Sequence, residues 1–311
     1  MVSVFRRFQL MLAGTTAARR FQEEADVGVA AVLTCYRGLR LQGANADKDN
    51  GELFEEAVAL IQKKKFDQQK AYVQAQVTTQ LESAFDAILK MPSAQDASAP
   101  KISLSGFERL DETVDSSNPE HTLERLLGYS LNVEPSSIAN AGEGVKLNGK
   151  VPIGSVVALF PGTVYLPEHF KKPQYLKEIS DNPFARARFD SVVIDAKRES
   201  SSPRNPLAVA HKINHPPPGS KPNVIPFSFD FPPEEPFTQP EHQKLIPNSF
   251  VEMPTRWSMF GKRALVHGLA FIATSDIEDE ELFLNYRYNP HNPLPDWYAP
   301  VDLESDRDMW K

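Results

Sequence analysis

The sequence is short of cysteine, of basic excess and of long apolar runs, and each shortage closes a class of function. Cys35 is the single cysteine among 311 residues. That excludes an intrachain disulfide and a cysteine-based zinc cluster, leaves no metal site expected, and fits a reducing compartment. A net charge of −7 excludes a general nucleic-acid binder, which needs a basic surface to displace counterions. No apolar run approaches the roughly 20 residues of a membrane-spanning helix, so no transmembrane segment is expected. Acidic residues are missing before Glu23, whereas Arg6, Arg7, Arg19 and Arg20 stand among apolar residues there. A helix in this stretch is basic and amphipathic, as in a mitochondrial presequence. Residues 1–22 are therefore expected to be a targeting helix and the location mitochondrial, otherwise cytoplasmic; the competing interpretation is an ordinary basic first helix.

What is present suffices for one sizeable core plus a smaller module, or two modest domains: 41% of residues are hydrophobic, with both charge signs mixed along the chain. Residues 23–91 favour helix, and glycines become sparse after Gly51. Val73, Val77, Leu81, Phe85 and Ile88 follow a four-and-three spacing that places them on one helical face, as do Phe54, Val58 and Ile61 in the preceding segment. Lys63–Lys65 reads as a solvated turn or helix end. The small, polar, proline-bearing stretch from Met91 opens a linker over 92–117. A short helix follows, with Asn118 as N-cap, Pro119 in the first turn, Leu123, Leu126 and Leu127 on its apolar face and Gly128 as the stop.

After Tyr129 prolines and glycines multiply, and apolar residues gather in short runs: Val156–Phe160, Val192–Ile194 and Leu265–Ala273. Such runs bounded by turn residues are strands of small sheets. The proline-rich stretch from Pro216 to Pro254 is expected to hold long ordered loops. The fold class is therefore α+β, a helical N-terminal region followed by a β-rich domain over 118–290, with a tail over 291–311.

Three segments of the β-rich part are candidates for chemistry. In Asn140-Ala141-Gly142-Glu143-Gly144-Val145 two glycines one residue apart let the backbone approach a ligand closely, although hairpin turns use such pairs more often. A third glycine and a following helix are missing, so this is no dinucleotide fingerprint. Asn214-His215, after the apolar stretch from Ala208, can present an amide and backbone groups to a polar ligand, or simply open a proline-rich turn. Glu280-Glu281-Leu282-Phe283-Leu284-Asn285-Tyr286 follows an acidic turn of solvated character, and Tyr286 and Tyr288 suit strands.

In this order, over about Glu120–Asn289, the segments GEGV, GSVVALFPG, INH followed by PN, and EELFLNY resemble the SET domain of protein lysine methyltransferases. HTLERLLGYS, NAGEGV, VPIGSVVALFPGTVY, NPLAVAHKINH, FDFP and LIPN extend the likeness to the SET domain-containing protein 9 subfamily, which also has a helical N-terminal region and an enlarged loop between the two Asn motifs. The resemblance implies small sheets around a pseudoknot-like core. It implies that S-adenosylmethionine is cradled by Gly142, Glu143, Gly144, Asn214 and His215, and that Tyr286 lies beside the transferred methyl group. Tyr165 and Tyr288 become candidates for the wall of a lysine channel. The implied activity is protein-lysine N-methylation, with a lysine of a protein substrate as partner.

Four features depart from the family pattern. Pro216, Pro217 and Pro218 follow the Asn-His pair, Lys146 follows Gly144-Val145, Asn285 stands where an aspartate is common, and no cysteine-rich closing segment follows. They put catalysis in question, and the altered Asn-His loop, the extra helical region and an aromatic, acidic tail suited to docking motivate the alternative of a non-catalytic, SET-derived structural subunit of a large assembly such as a mitochondrial complex, whose partners are neighbouring subunits. A nuclear histone modifier ranks below both, since no basic tract is present.

Overall fold

The computed structural model describes residues 16–42, 48–91, 119–180, 182–253 and 264–310. Most of the expected targeting helix, the linker over 92–117 and the Asn118 cap lie outside the described residues. No helix among the described residues is long and apolar enough to cross a membrane.

Three helices open the described chain: α1 (Thr16–Leu41), α2 (Asn50–Gln62) and α3 (Phe66–Leu89). The α1 face Val27, Ala30, Ala31 and Cys35 is buried at helical spacing. In α3, Val73, Val77, Leu81, Phe85 and Ile88 are all buried, as their spacing predicts. In α2 the buried face is Leu53, Ala57 and Ile61: Ile61 falls where predicted, whereas Leu53 and Ala57 stand one position before the expected Phe54 and Val58. Phe54 instead packs edge-on against Tyr36 of α1, ring centroids 5.6 Å apart. Its ring therefore covers the seam between two helices. The Lys63–Lys65 run is a turn and helix start, with Gln68 Oε1 accepting the Lys65 N–H at 2.9 Å.

Helix α4 (Pro119–Leu127) ends where Gly128 takes φ +87°, the left-handed stop that glycine adopts without a Cβ penalty. Three small sheets follow. The first has strand order β1 (Tyr129–Pro135), β2 (Glu143–Val151), β10 (Ile277–Glu278). The second runs β3 (Val156–Leu159), β9 (Val266–Ala273), β7 (Val224–Phe231). The third runs β5 (Ala185–Ala187), β6 (Val193–Asp195), β4 (Gly162–Tyr165), β8 (Asn248–Phe250). Helix α5 (Pro173–Ser180) precedes β5, α6 (Pro240–Gln243) precedes β8, and α7 (Leu303–Met309) closes the tail. This is an α+β fold of a helical region and small sheets. Strand β7, inside the proline-rich stretch expected to form loops, tolerates Pro226 because it is an edge strand with one side free of ladder bonds.

One hydrophobic core runs from α1 through the sheets to Leu284. Phe85 of α3 meets Phe231 and Phe237 at 6.4 and 5.6 Å. Two α3 glutamines act as backbone mimics toward the sheets. Gln74 donates to the Asp230 carbonyl and accepts its N–H, completing the open edge of β7. Gln80 does the same across the Gly154 carbonyl and the Val156 N–H. The helical region is thus joined to the β-rich part by shared core and by paired backbone groups.

Candidate functional site

The hairpin between β1 and β2 closes with the Ser136 N–H donating to the Gly142 carbonyl at 2.8 Å. Gly142 has φ +78°, and nothing lies within 4 Å of where a Cβ would stand. Backbone groups here are approachable from outside. Gly144 is the opposite case: a Cβ would meet the Glu281 carboxylate at 2.1 Å and the Asn214 amide at 3.2 Å. The first glycine therefore leaves room and the second is a point of close packing.

The segment 280–286 is held on both flanks. On one side the Leu147 N–H donates to the Glu280 carbonyl at 2.9 Å and the Leu282 N–H to the Val145 carbonyl at 2.7 Å. On the other, the Leu284 N–H donates to the Asn214 carbonyl at 2.8 Å. Asn223 grips the same segment through its side chain, giving to the Glu281 carbonyl at 2.9 Å and taking the Phe283 N–H at 2.7 Å. The three motifs thereby interlock: β2, the Asn214-His215 segment and Asn223 all bind one short strand-like stretch.

The Asn214 side chain donates to the Glu143 carbonyl at 2.9 Å and reaches Glu281 Oε1 at 3.3 Å. Glu281 also takes bonds from the Ser136 hydroxyl at 2.7 Å, the Ser137 N–H at 2.8 Å and the Ser137 hydroxyl at 2.5 Å. Burial alone would raise its pKa, but these donors hold the carboxyl below its ordinary value. Glu143 pairs with Lys212 at 2.8 Å across the mouth of the glycine pair. Next to Lys212 in sequence, His211 has both ring nitrogens buried, with no hydrogen-bond partner among the described residues. Burial, with the Lys212 charge adding to it, pushes its pKa down to about 4.

His215 is 5% exposed, and its ring is committed at both nitrogens. Nδ1 accepts the Tyr286 N–H at 3.3 Å, and Nε2 lies 2.7 Å from the Ala299 carbonyl, which can only accept. The ring is therefore the neutral tautomer protonated on Nε2, and burial lowers its pKa accordingly. Tyr286 donates its hydroxyl to the Ile213 carbonyl at 2.9 Å, and burial raises its pKa. The phenol stays protonated at neutral pH. Since its proton is committed to Ile213, the hydroxyl oxygen faces any further polar group as an acceptor.

An aromatic cluster covers this place. The His215 ring lies 4.4 Å from Tyr298 and 5.5 Å from Tyr286. Tyr288 lies 5.8 Å from Tyr286, 6.1 Å from Trp297 and 4.7 Å from Tyr298. Tyr298 is buried, while Trp297 is 60% exposed. Trp310 packs the tail down by an indole bond to the Arg287 carbonyl at 3.2 Å.

The fold thus brings Gly142, Glu143, Gly144, Asn214, His215, Tyr286 and Tyr288 into one neighbourhood. It does not bring Tyr165 there. Tyr165 belongs to a separate cluster with Tyr175, Ile179 and Val193, and its hydroxyl donates to Glu178 at 3.1 Å. Tyr165 pairs with Val193 and Val164 with Ile194, so Tyr165 points off the face opposite the main core. Lys146 lies 3.9 Å from Glu134 on the partly exposed β1 side, and Asn285 accepts the Arg287 N–H at 3.0 Å, as an aspartate oxygen would. Sequence reasoning did not single out Ser136, Ser137, His211, Lys212 or the structural role of Glu281. The hydroxyl pair ending β1 was the one available signal, since Ser-Ser at a strand end invites side-chain capping.

Interlocked glycine-pair, Asn-His and Glu-Leu-Tyr segments on small sheets are the features by which the chain resembles SET-domain proteins, and the comparisons bear that resemblance out. Over 197 aligned residues the chain is 29% identical to SET domain-containing protein 9 of Homo sapiens, covering 54% of this chain and 61% of that protein. SET domain-containing protein 9 of Pongo abelii is also 29% identical over 197 residues, covering 54% of this chain and 67% of that protein. The chain thus spans about three-fifths to two-thirds of the length of these curated relatives. No family model matches.

Proposed function

We propose that the chain is an S-adenosylmethionine-dependent protein-lysine N-methyltransferase. One observation carries this: Asn214 binds both Glu143 and Leu284 while His215 binds the Tyr286 backbone, so an approachable glycine turn and a tyrosine whose hydroxyl oxygen faces further groups as an acceptor form a single unit. The residues present fit the cofactor. The backbone around Gly142 is unobstructed, and Glu143 and Lys212 offer both charge signs to a molecule that carries ammonium, carboxylate and sulfonium groups. Gly142, Glu143, Gly144, Asn214 and His215 would hold it. When bound, it supplies an electrophilic methyl group.

The chain's own residues account for the rest. A free lysine has a pKa near 10.4, so the amine must lose its proton before it is a nucleophile. Aromatic walls at Tyr286, Tyr288 and Tyr298 exclude water and disfavour the ammonium. Arg186, in the centre of β5, interacts electrostatically with Tyr286 and Tyr288, and its positive charge pushes in the same direction. Tyr286 accepts a hydrogen bond from the amine and so points the nitrogen lone pair, a gain of orientation rather than of base strength. Isothermal titration with S-adenosylmethionine tests the cradle, and methyl transfer to a lysine-peptide library tests the chemistry. Micromolar binding and a loss of transfer in Tyr286→Phe of at least about tenfold are expected. Absence of binding well above that concentration sinks the proposal.

A second possibility is a non-catalytic, SET-derived subunit of a mitochondrial assembly. It is favoured by Trp297, Val301 and Leu303, which the tail leaves exposed as apolar contact surface. Co-fractionation with a large complex, together with absent cofactor binding, distinguishes it. The mitochondrial location itself rests on the basic, acid-free residues 1–22, and an import assay with that segment deleted tests it.

A further inference from the structure

Tyr286 and Tyr288 flank Arg287, and the partners of Arg287 come from both ends of the chain. Its guanidinium Nη1 donates to both carboxylate oxygens of Asp26 on α1, at 2.8 and 2.6 Å. Asp26 is 6% exposed, so the bond is made away from water, where losing one partner leaves a stranded charge. The Arg287 backbone has φ +51°, a left-handed conformation that L side chains rarely adopt. Asn285 Oδ1 accepts its N–H at 3.0 Å and the Trp310 indole donates to its carbonyl at 3.2 Å. The next N–H, of Tyr288, donates to the Tyr298 hydroxyl at 3.1 Å.

The bend at Arg287 sets the directions in which Tyr286 and Tyr288 leave the chain. It is sustained by a helix more than 250 positions away in sequence. A second tie from the same helix, Arg40 to Asp276 at 2.8 Å, is exposed and ends at the turn before β10, so it reaches neither tyrosine.

We propose that Asp26 is a positioning residue for Tyr286 and Tyr288, which makes the helical N-terminal region part of the functional site. This deepens the methyltransferase assignment and rests on it for its kinetic consequence. Its geometric consequence stands alone. With Asp26 neutralised, Arg287 loses its anchor, the left-handed bend relaxes, and the two tyrosines lose their fixed relation to His215. Of the cradle, His215 touches the moved segment through the Tyr286 N–H, whereas Gly142, Glu143 and Gly144 do not, so cofactor affinity falls far less than methyl transfer.

The test uses the full chain with Asp26→Asn, Asp26→Glu, Arg287→Lys and, as control, Arg40→Ala. Hydrogen–deuterium exchange over residues 284–299 should rise at least about tenfold in Asp26→Asn, the size of one charge-assisted bond, while β7 and β9 stay protected. Methyl transfer from S-adenosylmethionine to a lysine-peptide library should slow about tenfold, with the cofactor Kd within about twofold of the parent. Asp26→Glu should restore most of the rate, and Arg40→Ala should change neither readout. Unchanged exchange and transfer in Asp26→Asn, or exchange raised equally across β7 and β9, overturns the proposal. If Asp26→Asn fails to fold, Arg287→Lys carries the same two readouts. If the parent chain transfers no methyl group, the methyltransferase assignment fails while the exchange measurement still decides on Asp26.

Discussion

The side-chain amide of Asn214 donates to the backbone carbonyl of Glu143 at 2.9 Å, across 71 positions of sequence. The same nitrogen lies 3.3 Å from the Glu281 carboxylate, so one NH2 group bridges two of the motifs. Asn214→Ala removes both bonds and should destabilise the chain by about 1–2 kcal/mol, the usual range for partly solvated hydrogen bonds with one charged acceptor. Asn214→Asp should cost more than Ala. It replaces a donor by a carboxylate facing a carbonyl and Glu281, so attraction becomes repulsion. Urea denaturation ranks the two variants, and equal stability would show that the bridge carries no weight. S-adenosylmethionine binding should weaken at least about tenfold in both.

Gly144→Ala probes the same point by sterics. The added carbon would stand 2.1 Å from Glu281 Oε1 and 2.9 Å from its carboxyl carbon. A flexible carboxylate could swing away, but this one is pinned by Ser136 and Ser137. Moving it breaks those three bonds and the 3.3 Å bond from Asn214, so the expected loss is about 1–3 kcal/mol. Gly142→Ala meets no atom, and its cost arises only from the positive φ, about 1–2 kcal/mol. Thermal melts of both, with and without Ser136→Ala, separate the causes: freeing the carboxylate should relieve Gly144→Ala and leave Gly142→Ala unchanged.

The two histidines of this region make acid destabilising. His211 has its pKa pushed down to about 4 by burial, and burial lowers that of His215. The unfolded chain therefore binds more protons than the folded one below about pH 6.5, so their stabilising effect is complete above that pH and is lost as pH falls. For His211 the window runs from about 6.5 down to about 4. His211 is only partly buried, so a loss of about 1–2 kcal/mol is expected across it. Protonating His215 at Nδ1 also removes the acceptor of the Tyr286 N–H. Denaturant titrations at pH 7.5, 6 and 5 on the parent and His211→Leu measure this. The variant should lose less stability on acidification, and parallel profiles would show that His211 does not titrate as stated.

How much of this was legible in the sequence follows from how local each signal is. The α3 face from Val73 to Ile88 and the stop at Gly128 are set by spacing and by one residue type, and both appear where the sequence places them. In α2 Ile61 is buried as its spacing predicts, but the first turns bury Leu53 and Ala57 instead of Phe54 and Val58, with Phe54 used between helices, a tertiary choice that periodicity does not encode. Strand β7 is hidden by Pro226 and the surrounding prolines, which a sequence window cannot assign to an edge. In the candidate site, the residues carrying motif resemblance meet, whereas Tyr165 is separated from them by the alternation of β4. One position of register decides which face a strand residue takes. Glu281 reads only as one letter of the Glu-Glu-Leu segment, because its partners Ser136, Ser137 and Asn214 come from distant parts of the chain. Asp26 carries no signal at all, being one acid on a helix until Arg287 is brought to it.

Asp306 should act against the histidines. It is 1% exposed, lies in the helix that closes the tail, and has no hydrogen-bond partner for either oxygen among the described residues. Burial raises its pKa to about 6, with Asp302 adding to the rise and Arg287 opposing it. The folded chain therefore binds this proton more tightly than the unfolded one, whose ordinary value is 3.8. Its contribution is fully present below about pH 3.8 and is lost as pH rises through about 6, so at neutral pH the tail docks with a buried, weakly compensated charge. Asp306→Asn removes that charge at similar volume. It should stabilise the chain by about 1–3 kcal/mol at pH 7.5 and change little at pH 4. Because Asp306 and Trp310 share α7 and its flank, Trp310 fluorescence should report the same pH window. If Asp306→Asn is instead destabilising at pH 7.5, Arg287 serves Asp306 as well as Asp26, and the ionised carboxylate is part of the anchor that holds the tail over His215.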